Sequence, residues 1–232
     1  MIRFQVGGPV IRAVLFDLDG TLLDSTRLLL DGYRYAVRKC LNVETRDEDW
    51  LPLMGKPLPE QMAFFSAEKA PELVRTYREF YARHHEKRIR PFPGVPELLS
   101  ELKSRGLLLA AVTSKKSFFA ERGLEAVGLR RYFSVVIGED DTQEHKPGPA
   151  PVLEALRRLG VPPECAVMVG DSPYDIAAAK AAGVRGIAVL WGPFSREDLE
   201  RESPDAFAGS VEELFRILND RVSSEGNDAC KK

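Results

Sequence analysis

The chain is short of cysteine and histidine, with three of each in 232 residues. Cys40, Cys165 and Cys230 are odd in number and far apart, without CxxC or Cys/His spacing. That excludes a zinc site of the usual kind and points to free thiols in a reducing compartment. Long apolar runs are absent too. No window approaches the roughly 18 apolar residues of a membrane span, and Met1–Val10 lacks the apolar stretch of a signal peptide. Nor is there an excess of one charge: 33 basic against 35 acidic side chains give −2. This balance argues against nucleic acid or a membrane as partner, while leaving room for a local basic pocket. The address expected is the cytoplasm. What is present, 44% hydrophobic and 29% charged residues with ordinary glycine and proline, belongs to a folded chain of one or two domains.

Ile11–Phe16 is a β-branched and aromatic run that stops at Asp17-Leu-Asp-Gly-Thr21. A short apolar run ending in turn residues reads as a buried strand of a parallel sheet. Leu107–Val112, Phe133–Ile137, Ala166–Val169 and Val184–Leu190 repeat the pattern. Helical patterns separate them: Pro96–Arg105, Lys116–Val127, Ala150–Leu159 and Tyr174–Ala182. Gly106, Gly128, Gly160 and Gly183 stand where these helices should stop. The alternation predicts an α/β fold, a doubly wound Rossmann-like parallel sheet covered on both faces.

One stretch departs from this. Residues 24–90 show no convincing strand, but Leu28–Leu41 and Glu72–Lys87 carry apolar stripes at helical spacing. The expected organisation is therefore an α/β core of residues 1–23 and 91–222, an inserted helical cap over 24–90, and a disordered tail over 223–232. Tyr33, Tyr77, Phe80 and Tyr81 read as the core of that insert.

Ligands of an open parallel sheet bind at the carboxyl ends of its strands. Those ends carry Asp17 and Asp19, Thr113 and Ser114, Lys146, and Asp171 with Asp175. Four carboxylates at one edge repel each other unless a cation neutralises them, and oxygen-only ligands suit Mg²⁺. A divalent ion, a lysine, hydroxyls and loop amides make a receptor for a phosphoryl group. Gly20 allows a tight turn that presents N–H groups to an anion. Asp17 is placed to attack phosphorus, and Asp19 to serve the leaving oxygen as acid and then water as base.

The same residues carry a resemblance. Phe16-Asp-Leu-Asp-Gly-Thr-Leu-Leu-Asp-Ser25, Thr113-Ser-Lys115, Lys146-Pro-Gly148 and Gly170-Asp-Ser-Pro-Tyr-Asp175 resemble, in order and spacing, the four motifs of the haloacid dehalogenase-like hydrolases. The insert resembles the helical cap of the phosphoglycolate-phosphatase-like branch. The resemblance implies Asp17 as the phosphorylated nucleophile and Asp19 as the acid/base. It implies phosphate binding by the loop Asp17-Leu18-Asp19-Gly20 with Thr113, Ser114 and Lys146. Mg²⁺ would be held by the Asp17 and Asp171 carboxylates and the Asp19 carbonyl, with Asp175 and Ser172 behind them. Position 114 is often Asn in that branch and is Ser here.

Every one of these residue types has a plainer use. Asp17 and Asp19 can cap a turn, Thr113 and Ser114 a helix, and Asp171 and Asp175 can answer a helix dipole. Lys56 in its Gly/Pro-rich loop, with His84, His85, Arg88 and Arg90, lines either a face that meets an anionic substrate or a solvated helix face and hinge. The function expected is a Mg²⁺-dependent phosphatase for a small phosphorylated metabolite, phosphoglycolate-like, acting through an aspartyl phosphate as monomer or homodimer. Inorganic pyrophosphatase and sugar-phosphate phosphatase or mutase are the alternatives, and a non-catalytic phospho-ligand binding module is the alternative of another class. Dehalogenation is disfavoured by Asp19.

Overall fold

The computed structural model describes residues 10–222, so the expectations for the first nine residues and for the tail from Ser223 lie outside the described residues. The first apolar run forms β1 (Ala13–Phe16), all four residues buried. Next come β2 (Leu23–Asp24), α1 (Thr26–Leu41), α2 (Asp47–Trp50), α3 (Leu58–Phe65), α4 (Ala70–Arg88) and β3 (Arg90–Pro91). β2 and β3 pair antiparallel, so the helical segment leaves and rejoins the chain at one place. After it the alternation resumes with α5 (Val95–Ser104), β4 (Leu108–Val112), α6 (Ser117–Ala126), β5 (Val135–Ile137), α7 (Ala150–Leu159), β6 (Ala166–Gly170), α8 (Pro173–Ala181) and β7 (Arg185–Val189). The described chain ends with α9 (Arg196–Glu200), β8 (Ala206–Ala208) and α10 (Val211–Val222).

The large sheet has the order β5-β4-β1-β6-β7-β8, and every pairing in it is parallel. Strand residues alternate between its faces. Val14, Phe16, Leu109, Ala111, Val167 and Val169 pack with α5, α6 and α10, whereas Ala13, Leu15, Ala110, Val112 and Met168 pack with α7 and α8. Burial on both faces is why the strands read as continuous apolar runs. Gly106, Gly128, Gly160 and Gly183 all have positive φ, as their places after helices require. The chain winds outward from β1 on one side, then returns to wind outward from β6 on the other. β1 and β6 are therefore the switch point, beyond whose carboxyl ends a doubly wound sheet opens a crevice.

The helical segment has an apolar cluster of its own, including Leu29, Tyr33, Val37, Trp50, Met62, Leu73 and Tyr77. Its centre is a ladder of rings: Trp50 on Tyr33 at 4.6 Å, Tyr33 on Tyr77 at 4.9 Å, Tyr77 on Tyr81 at 5.9 Å and Tyr81 on His85 at 5.0 Å. The close crossing of α1 and α4 needs Gly32, where a Cβ would lie 2.8 Å from Tyr77.

His85 ends this ladder fully buried, and neither ring nitrogen has a hydrogen-bond partner. Burial also lowers its pKa, so the ring stays neutral. Phenylalanine keeps the stack and removes two desolvated polar atoms. His85→Phe is therefore expected to stabilise the protein by about 1 kcal/mol, read from chemical denaturation, with catalysis unchanged.

Cys40 is a free thiol, as expected, and Cys165 is buried; Cys230 lies outside the described residues. His84, His85, Arg88 and Arg90 do not line the cavity described below. His84 packs on Phe80, Arg88 pairs with Asp31, and Arg90 donates to the Ile89 carbonyl. No helix among the described residues is long and apolar enough to cross a membrane.

Candidate active site

Asp17 follows β1 directly, its N–H donating to the Val169 carbonyl of β6 at 2.9 Å. Asp171 follows β6, so the two carboxylates meet at the switch point. Lys146 arrives from the loop after β5 and is buried. Its Nζ donates to Asp17 Oδ1 at 2.8 Å, Asp175 Oδ1 at 2.6 Å and the Val112 carbonyl at 3.2 Å. Those bonds use all three ammonium donors, so Lys146 fixes Asp17 before any ligand arrives. Asp175 is fixed in turn. Its Oδ2 accepts from Ser172 Oγ at 2.6 Å and from the Ser172 N–H at 3.1 Å, forming the N-terminal capping box of α8. The plain capping role of Asp175 and its role beside Lys146 are thus both real.

Asp17, Asp171 and Asp175 offer ligand atoms that all lie within 4.8 Å of one another, and all three are buried. One ammonium, paired with Asp17 and Asp175, serves three clustered carboxylates, which leaves negative charge in a dry place. Burial, chiefly, pushes the Asp17 carboxyl up to about 7 against the pull of Lys146, with help from Asp175 and Asp19. Burial and the neighbouring Asp17 and Asp175 likewise raise Asp171 well above the carboxylate range. Thr21 Oγ1 donates to Asp171 Oδ1 at 2.6 Å, and this is a neutral donor. The donor set fits a small, hard divalent cation. Because Asp175 spends both oxygens on Lys146 and Ser172, Asp17 and Asp171 are the carboxylates with capacity for one.

The sign of the charge defect gives a test. The Asp17 carboxyl, ordinarily near 3.8, stands at about 7 in the fold. Between those values the native state holds the extra proton, so stability falls as pH rises through that window. Lys146 is shifted upward, and its contribution is lost only at strongly alkaline pH, outside this window. A divalent cation removes the defect where the carboxylates are charged. Adding Mg²⁺ at saturation is therefore expected to raise Tm by about 5 °C at pH 8 and by much less at pH 5, followed by calorimetry.

Gly20 has φ +85°, and a Cβ there would lie 2.4 Å from the Asp171 carboxylate. The tight turn expected there is present, and the Gly20 N–H donates to the Leu23 carbonyl at 2.9 Å, closing the turn after β1. Glycine is needed for room rather than as a donor. Leu18 is buried, and its carbonyl accepts from the N–H groups of Leu22 and Leu23. Thr113 follows β4 directly and lines the cavity. Ser114 Oγ donates to the Gly55 carbonyl at 2.6 Å, so the shorter residue at this position ties the sheet edge to the helical segment.

These groups line one cavity between the sheet edge and the helical segment, with Asp17, Asp19, Thr113, Lys146, Asp171 and Ser172 on one side. Lys56, Gln61, Arg78, Tyr33, Tyr77 and Tyr81 line the other. Lys56 is thereby placed at the site, its Nζ 5.9 Å from the centre of the Tyr174 ring. The three tyrosines are core, as expected, and cavity wall as well.

Sequence reasoning missed Lys115, whose Nζ lies 2.6 Å from Asp19 Oδ1 and 2.6 Å from the Tyr81 hydroxyl. Asp19 Oδ1 also accepts from Ser25 Oγ. The only signal for Lys115 was its place in Thr113-Ser-Lys115, where it resembled any helix-leading lysine. Thr21 and Gly192 were missed too; a Cβ on Gly192 would lie 2.4 Å from Asp171.

Residues 14–189 match the family described as haloacid dehalogenase-like hydrolase. The chain belongs to that family. Among its relatives is a protein of Caldanaerobacter subterraneus subsp. tengcongensis named "Putative pyrophosphatase PpaX", 43% identical over 208 residues, covering 90% of this chain and 94% of that one. Pyrophosphatase PpaX of Bacillus velezensis is 36% identical, covering 89% and 96%. A crystal structure described as a "predicted phosphoglycolate phosphatase" from Haemophilus somnus 129pt superposes with a TM-score of 0.81 at 26% identity, covering 89% of this chain and 97% of the other. The carboxylates and Lys146 thus stand on a haloacid dehalogenase-like core.

Proposed function

We propose that the protein is a Mg²⁺-dependent phosphatase that transfers a phosphoryl group to Asp17 and then to water. The observation that carries this is the Asp17 carboxylate, buried at the end of the central strand, held 2.8 Å from the Lys146 ammonium and facing a lined cavity. Mg²⁺ would be held by Asp17, Asp171 and the Asp19 carbonyl, supplying positive charge that offsets repulsion between a carboxylate and a phosphate. Asp17 attacks phosphorus, the bond to the leaving oxygen breaks, and an aspartyl phosphate forms. Asp19, two residues on, protonates the leaving oxygen where that oxygen needs a proton, and later takes a proton from the attacking water. Thr113 orients the phosphoryl group, together with the amides of Leu18 and Asp19, with Ser114 beside it. Lys146, anchored by Asp175 and through it by Ser172, holds Asp17 in place. Residues 24–90 act as a cap that closes the cavity over the substrate and excludes bulk water.

The first substrate candidate is inorganic pyrophosphate, supported by the names of the sequence relatives and by the Lys56, Arg78 and Lys115 side chains around the cavity. This reverses the order expected from sequence, where phosphoglycolate led. The second reading is 2-phosphoglycolate, favoured by the structural likeness to the Haemophilus somnus protein. Phosphate release from pyrophosphate, 2-phosphoglycolate and p-nitrophenyl phosphate, with Mg²⁺ or EDTA, separates them. Mg²⁺-dependent turnover with the highest kcat/KM on pyrophosphate supports the first reading, and a preference for 2-phosphoglycolate supports the second. Activity that persists in EDTA overturns the mechanism, and a folded protein inactive on all three favours a binding module.

A further inference from the structure

We propose that Lys115 binds the departing group of the substrate and favours one that leaves as an anion: it is the residue that selects a phosphoanhydride over an alkyl ester. The inference rests on Asp17 being the nucleophile. The site divides its cations. Lys146 belongs to Asp17 and Asp175, on the side where phosphorus is attacked. Lys115 belongs to Asp19, the residue assigned to the leaving oxygen, and its Nζ also meets the Tyr81 hydroxyl at 2.6 Å and faces the Tyr81 ring at 4.7 Å. It therefore spans the gap between the sheet edge and α4, where the part of the substrate beyond the transferred phosphoryl group must lie.

The chemistry of the leaving group decides what such a cation is good for. An alcohol departs as an alkoxide unless it is protonated, so an ester needs the Asp19 proton and gains little from a fixed ammonium. A phosphate departs from pyrophosphate as a stable anion. It needs no proton, but in the transition state it gains negative charge at the bridging oxygen, which a positioned cation stabilises. In atoms, Asp17 forms the new bond to one phosphorus, the bridging P–O bond breaks, and its electron pair stays on the departing phosphate beside Lys115. Arg78 stands further along the same wall, paired at 3.9 Å with Glu139, a contact long enough to yield to an anion.

The test compares Lys115→Met and Lys115→Gln with the wild type on pyrophosphate and on glycerol 2-phosphate, whose leaving group is a neutral alcohol. Loss of one transition-state donor costs about 10²-fold, so kcat/KM on pyrophosphate should fall by that factor and at least about tenfold further than kcat/KM on the ester, which loses only the contact of Lys115 with Asp19. Methylenediphosphonate, which cannot be hydrolysed, should bind at least about tenfold more weakly by calorimetry, with binding of inorganic phosphate unaltered. An equal loss on both substrates would make Lys115 a support for Asp19 only and would overturn the proposal. So would unchanged hydrolysis of pyrophosphate. If Asp17→Asn retained activity, the mechanism itself would fail, an outcome distinct from either result.

Discussion

Asp17→Asn is expected to lower kcat on every phosphorylated substrate by about 10⁴-fold or more, and to raise the melting temperature of the metal-free protein. The loss follows from chemistry: the amide is a poor nucleophile toward phosphorus, and no other carboxylate occupies its place at the end of β1. Asp19 points elsewhere, tied to Lys115 and Ser25. The gain follows from charge. Asp17, Asp171 and Asp175 stand together beside one ammonium, Lys146, which pairs with Asp17 and Asp175 only, and burial makes the surplus charge costly. Asparagine keeps the shape and an acceptor for Lys146 while removing one charge. The gain should be small near pH 5 and largest above pH 7, because the Asp17 carboxyl, at about 7, is protonated in the fold at the lower value. The Mg²⁺-dependent rise in Tm should shrink in the same variant. Thermal melts of both proteins in EDTA across that range check the pair of effects, and a variant less stable than the wild type at pH 8 would contradict the charge argument.

Lys146→Met should fail in the opposite direction. It leaves Asp17 and Asp175 buried without their cation, and breaking a buried pair from one side costs about 3–5 kcal/mol. Asp175 keeps its bonds to Ser172, so the start of α8 should survive. Asp17 loses its only ion-pair partner among the described residues, and activity should drop about 10³-fold. Denaturation midpoints with and without Mg²⁺ separate the two contributions, because the cation can replace part of the lost charge but not the positioning. Equal stability of variant and wild type in EDTA would show that Lys146 is not the counter-ion of the cluster.

Much of this was legible in the chain because local and long-range signals agree in an α/β fold. Strands buried on both faces are continuous apolar runs, helix ends carry glycine, and the strands deliver their polar residues at one edge. Ile11–Phe16 thus led directly to Asp17, and Ala166–Val169 to Asp171. β8 was missed because its three residues, Ala206–Ala208, are too short to leave a pattern. α10 was missed although Val211, Leu214 and Leu218 do carry one, and all three are buried against the sheet. The contacts between the sheet edge and the helical segment could not be read at all. Ser114 with Gly55, Lys115 with Tyr81 and Tyr174 with Pro52 join residues between 34 and 122 positions apart, and no periodicity encodes such pairs. The packing of Gly20 against Asp171 was equally hidden: a glycine that suits an anion-binding turn also suits a turn packed against a carboxylate.

The most direct measurement is chemical trapping of the intermediate. Protein turning over pyrophosphate with Mg²⁺ is quenched in acid, reduced with borohydride and digested, and the peptide containing Asp17 is read by mass spectrometry. An acyl phosphate on that side chain reduces to the alcohol, so the account predicts homoserine at position 17, dependent on substrate and on Mg²⁺. Continued turnover with Asp17 unmodified, or an adduct on a different residue, would contradict it.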